Sequence, residues 1–138
     1  MLKQSVIMII ENTSERVAPA ATADDDANNN NSRWFLWTVS VKSVPPNFVN
    51  YIESVIYYLH PTFSQNVIRS KDKESNFLLA SQGWGEFNIR IEVILKDQRK
   101  ATLNHWLSLE DENGIHKNQT IVKLYEDDFK KPRINLTR

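Results

Sequence analysis

The chain has 138 residues, 17 Lys+Arg balanced by 17 Asp+Glu, and no cysteine. That length holds one domain with a core of sandwich or small-barrel size, and zero formal charge gives no global basic field for nonspecific nucleic-acid binding. The missing thiols exclude disulfide scaffolds, thiolate zinc sites and cysteine nucleophiles.

Val6–Ile10 is a short β-rich run that predicts a first strand. It is far too short for a signal-peptide core or a membrane span. An intracellular, reducing compartment is therefore expected, and the Asn-x-Ser/Thr sequons at Asn12, Asn118 and Asn135 read as chance. Residues 18–32, APAATADDDANNNNS, are polar and low in complexity, and predict a flexible insert within a single domain spanning 1–138. Asp24, Asp25 and Asp26 read as part of a solvated loop.

Beyond residue 33 the pattern is β. Trp37–Lys42 alternates apolar and polar residues, and Phe87–Val93 does so more strictly, as in antiparallel strands with one wet face. Along Lys100–Glu110, residues Ala101, Leu103, His105, Leu107 and Leu109 share one face. Further strands are predicted at about 52–59, 66–71, 77–81 and 120–125. Asn50–Leu59 fits an amphipathic helix too, but Val55-Ile56-Tyr57-Tyr58 is dense in β-formers, which decides for a strand. Asp97-Gln98 and Asp111–Gly114 supply turns, the first suited to a hairpin. About eight short strands predict an all-β, immunoglobulin-like antiparallel sandwich, with a ligand site expected among the loops at one end.

Catalytic signatures are missing. No HExxH, GxSxG, glycine-rich phosphate loop or spaced carboxylate pair occurs, so no enzyme, metal or cofactor is expected. His105 lies on the apolar face of its strand and reads as a hydrogen-bonded core histidine; His116 reads as a surface-loop residue. The acidic clusters Glu110–Glu112 and Glu126–Asp128 read as solvated faces. Two of the three glycines flank one tryptophan, in Gly83-Trp84-Gly85-Glu86-Phe87. Glycine serves where the backbone needs positive φ or where something must approach it closely. With Leu59-His60-Pro61-Thr62-Phe63 upstream, this suggests two aromatics, Phe63 and Trp84, held at turns beside a pocket.

LHPTF followed some twenty residues later by GWGEF resembles the signature of the YEATS domain. The Trp37–Lys42 strand is similar to that family's W-x-V-x-V element, Ala101–Leu109 to its V-T-L-x-H-x-L-x-L segment, and Thr120–Asp127 to its terminal strand. The last two most resemble the subfamily found in variant-histone-exchange remodellers and histone acetyltransferase complexes. The resemblance implies a nuclear reader of acetylated or crotonylated lysine on histone tails, partnered by subunits of such complexes. It implies neither membrane binding nor direct sequence-specific nucleic-acid binding. Carried over by position, Phe63 and Trp84 sandwich the acyl group and Thr62 bonds its amide. The Trp84 N–H donates to its carbonyl, His60 lines the pocket, Gly83, Gly85 and Phe87 form floor and rim, and Glu86 sits at the rim. The alternative is a scaffold domain of the same fold that no longer uses its pocket. Ser75-Asn76-Phe77 replaces the family's Pro-Pro-aromatic element, Phe35 replaces a histidine at the entry to the second strand, and Trp106 stands where some relatives have an acid. Trp34 or Phe35 is a further candidate to border the pocket.

Overall fold

The computed structural model describes residues 5–17, 34–109 and 115–131. The expected insert at 18–32, the acidic cluster Glu110–Glu112 and the turn at Asp111–Gly114 lie outside the described residues. Among the described residues eight strands form: β1 (Ser5–Val17), β2 (Trp34–Val44), β3 (Ile52–Tyr58), β4 (Val67–Ser70), β5 (Leu79–Gly83), β6 (Phe87–Leu95), β7 (Lys100–Leu107) and β8 (His116–Tyr125). They pair antiparallel into two four-stranded sheets, ordered β5-β2-β1-β8 and β4-β3-β6-β7. The fold is the immunoglobulin-like sandwich that the alternating patterns predicted. Val39, Val41, Ile89, Ile91, Met8 and Leu107 fill the space between the sheets, fully buried.

β2 extends past its predicted limits at both ends, and β1 and β8 extend past theirs over polar stretches. β1 runs to Val17, because Asn12 and Ser14 take inward positions that apolar residues would ordinarily fill. Both are buried, so hydropathy alternation ends at Ile10 while the ladder does not. β8 likewise starts at His116, which is a half-buried strand residue bonded to Ser108 (Nε2 to Oγ, 3.1 Å) and not a loop residue. Asn12 and Thr120 meet the buried His105. Its Nε2 lies 2.7 Å from Asn12 Oδ1 and its Nδ1 lies 2.7 Å from Thr120 Oγ1, while Asn12 Nδ2 donates to the Ser108 carbonyl at 3.0 Å. His105 is the hydrogen-bonded core histidine expected from its strand position.

β5 begins two residues later than the predicted 77–81. Asn76 and Phe77 both have positive φ, 62° and 56°, which few bulky residues tolerate, so the chain turns there before the ladder starts. The turn is tied on both sides. The Asn76 carbonyl accepts from Val41 N, and the Phe77 carbonyl accepts from the buried Tyr57 hydroxyl at 2.6 Å. Burial raises the Tyr57 pKa, keeping the hydroxyl a neutral donor. Tyr57→Phe should cost about 1–3 kcal/mol, since it strands a buried carbonyl at a strained turn. A urea melt measures this, and an unchanged midpoint would mean the hydroxyl does not hold the turn.

The Asp97-Gln98 hairpin forms as predicted, with Gln98 at φ 78° and Asp97 accepting from Arg99.

Candidate functional site

The β3–β4 loop, the β5–β6 turn and the start of β2 meet at one end of the sandwich around an open cleft of about 610 Å³. In the β3–β4 loop, Phe63 N donates to the His60 carbonyl at 3.0 Å, closing a turn with Pro61 at its second position. Proline pre-sets the φ required there. The turn lifts Thr62 to the surface and points Phe63 back toward the core, where it is half-buried. The Phe63 ring packs at 5.6 Å from that of Phe87 and 6.2 Å from that of Trp37, and the His60 ring stands 6.0 Å from Phe87.

One hydrogen bond sets the polarity of the loop. Thr62 N donates to His60 Nδ1 at 3.2 Å, so that nitrogen carries a lone pair and the ring proton sits on Nε2. Thr62 Oγ1 lies 3.0 Å from the same Nδ1 and must direct its own proton there. The oxygen lone pairs are then left to accept.

Across the cleft, Trp84, Gly85 and Glu86 fall between β5 and β6. Trp84 is 71% exposed and its ring touches no other aromatic among the described residues. Neither flanking glycine has positive φ, and a Cβ at Gly85 would meet nothing within 4 Å. The internal packing therefore does not demand glycine here; what remains is access for a group from outside. Phe87, first residue of β6, is buried beneath.

All eight residues expected at the site line this one cleft: His60, Thr62, Phe63, Gly83, Trp84, Gly85, Glu86 and Phe87. Glu86 has a tie that the sequence did not suggest. Its Oε1 accepts from Trp106 Nε1 at 3.0 Å and its Oε2 from Leu109 N at 2.7 Å, pinning the turn to the end of β7. Trp106 does project from the polar face of its strand, half exposed, and this bond is its contact. Trp34, Ser64 and Gln82 also line the cleft. Trp34 and Gln82 join across β2 and β5 through Nε1 and Oε1 at 2.9 Å. Of the two candidates at the entry to β2, Trp34 borders the cleft, whereas Phe35 is buried in the core. Nothing in the local pattern marked Ser64 or Gln82. The Glu126–Asp128 cluster sits beyond the end of β8, at the opposite end of the sandwich. Among the described residues no three His, Cys, Asp or Glu side chains gather to hold a metal.

The profile of the prokaryotic YEATS domain matches residues 35–108, more than half of the chain. The chain belongs to this family. Solved YEATS structures share its fold. A Yaf9 YEATS domain bound to an acetylated H3 peptide superposes with a TM-score of 0.70 at 23% identity, covering 90% of this chain and 85% of that one. A Yaf9 YEATS domain recognising a succinylated H3 peptide gives 0.63 at 22%, covering 92% and 90%. The yeast AF-9 homologue Yaf9 gives 0.62 at 23%, covering 95% and 82%. At these identities the likeness is one of fold.

Proposed function

We propose that this YEATS domain binds acylated lysine presented on a flexible protein segment, and that it is a binding module without catalytic activity. The observation that carries the reading is the chemistry of the cleft. An outstanding tryptophan and a half-buried phenylalanine bound it, the Thr62 hydroxyl in its lining has lone pairs to give, and its one carboxylate has both oxygens engaged. An acyl-lysine amide is flat and neutral. Its faces fit between Trp84 and Phe63, each contact worth about 0.5–1.5 kcal/mol beyond area burial. Its N–H donates to Thr62 Oγ1, and the Trp84 backbone N–H donates to its carbonyl. An unmodified ammonium has only donors to offer and would shed its hydration without finding a free anion. Affinity of one side chain is expected at roughly micromolar or weaker.

Two of the solved structures are of a Yaf9 YEATS domain with an acylated histone peptide, which supports the choice of ligand class. The matched family is described as prokaryotic, so we carry over the mode of binding and not the nucleus, nor the remodeller and acetyltransferase complexes of the subfamily that the sequence resembles.

Calorimetric titration with one lysine peptide in unmodified, acetylated and crotonylated forms tests the proposal. Selective binding of the acylated forms is expected; equal or absent binding of all three would sink it and leave the scaffold role. Thr62→Val keeps the side-chain shape and removes the acceptor. It should weaken the acetylated peptide by about 1–3 kcal/mol, because the ligand N–H is then buried unpaired. An unchanged Kd would remove Thr62 from the site.

A further inference from the structure

Behind the residues that line the cleft one donor is left over. Trp37 is 1% exposed, and its indole Nε1–H has no hydrogen-bond partner among the described residues. The atom lies beside Gly83: a Cβ built there would sit 3.8 Å from Trp37 Nε1 and 3.8 Å from Phe63 Cζ. Gly83 pairs with Phe35, and Trp37 lies two residues further along the same strand, so the absent side chain would face the interior with those two buried aromatics. Gly83 and Phe63 both line the cleft. The missing Cβ thus leaves a gap about one methyl group wide between the cleft and the indole N–H. The rings of Phe63 and Phe87 stand at 81° and 74° to Trp37. A ring face is a weak acceptor, whereas buried indole donors ordinarily find an oxygen.

We propose that Trp37 Nε1–H is a specificity-determining donor at the inner end of the acyl slot, and that the domain prefers neutral hydroxyacyl chains on lysine over hydrocarbon chains of equal length. The inference rests on the acyl-lysine function proposed above. A hydroxyl oxygen resting on Gly83 accepts from the indole and satisfies a donor that a methylene leaves bare. Neutrality follows from the lining: none of the described side chains around the cleft is a Lys or Arg, and the Glu86 carboxylate is present, so an acidic chain end would meet a like charge and no Lys or Arg to balance it.

The test uses the intact protein and one lysine peptide carrying butyryl, 2-hydroxybutyryl, 3-hydroxybutyryl or succinyl. One hydroxybutyryl form should bind about three- to tenfold tighter than butyryl. The indole region of a proton–nitrogen correlation spectrum, with four tryptophans to resolve, should show the Trp37 resonance moving downfield with that peptide and not with butyryl. Trp37→Phe should abolish the preference; if that variant does not fold, the indole spectrum of the native protein decides. Butyryl binding as tightly as both hydroxylated forms, with the Trp37 resonance unmoved, overturns the inference and leaves the acyl-lysine function standing. Succinyl binding tightest overturns the requirement for neutrality. Absence of binding by all four peptides overturns both the inference and the function beneath it.

Discussion

Replacing Trp84 by alanine is expected to weaken acyl-peptide binding at least about thirtyfold, roughly 2 kcal/mol, without changing the stability of the domain. The two effects separate because the ring stands 71% exposed and makes no aromatic contact among the described residues. Its removal leaves no cavity, and an exposed substitution of this kind ordinarily moves stability by less than about 0.5 kcal/mol. Phe63→Ala should behave differently. That ring leans on Trp37 and Phe87, so its loss should reduce both binding and stability, the latter by about 1–3 kcal/mol. Calorimetric titration beside thermal melts reads both quantities. Retained binding by the Trp84 variant would mean that the cleft does not hold the acyl group, and a large drop in its melting temperature would mean that the ring is structural after all.

The candidate cleft was legible because its parts are local. Two short segments, LHPTF and GWGEF, carry the eight residues assigned to the pocket, with only the candidate at Trp34 or Phe35 outside them, and turn chemistry at Pro61 and the two glycines marked them as loop-borne. Long-range partners left no mark. The bonds from Glu86 to Trp106 and Leu109 span twenty or more positions, and neither strand pattern distinguishes an acid that pins a turn from one that meets a peptide. The tautomer of His60 also needed geometry, since only the short distance from Thr62 N assigns the lone pair.

For the fold, strands with an apolar inner face were read nearly to their ends, as in β3 and β6. Strands whose inner face turns polar were cut short. Asn12 and Ser14 in β1 and His116, Asn118 and Thr120 in β8 are the polar positions concerned, and the hydrogen bonds of Asn12, His116, Asn118 and Thr120 do what apolar packing does elsewhere. Periodicity of hydropathy cannot see a polar core. The start of β5 was misplaced for another reason: Asn76 and Phe77 hold left-handed backbone without a glycine to announce it.

That polar core predicts how the domain responds to acid. The Asn12 amide oxygen accepts from Ser108 N, and as an acceptor it requires the proton of His105 on Nε2. With the proton there, the neutral ring accepts from the Thr120 hydroxyl at Nδ1. Burial lowers its pKa from 6.5 to about 4. Thr120 can turn its hydroxyl to accept from a protonated Nδ1, so desolvation and not a lost hydrogen bond opposes the charge. The sign follows. Between about pH 6.5 and 4 the unfolded chain binds a proton that the folded chain refuses, so stability is full above the unfolded value and declines as pH falls toward the folded one. The displacement is worth on the order of 3 kcal/mol, a large part of the stability of a domain this size. Glu53 and Asp97, held below the usual carboxylate range by the Ser54 hydroxyl and the Arg99 amide, add losses of the same sign at lower pH. His105→Gln separates the contributions, because glutamine can still donate and accept but does not titrate in this range. Urea unfolding at pH 7, 6, 5 and 4 should show the wild type losing stability faster than the variant, with the gap between them closing by pH 4. Parallel curves would mean that the buried imidazole does not set the acid sensitivity of the fold.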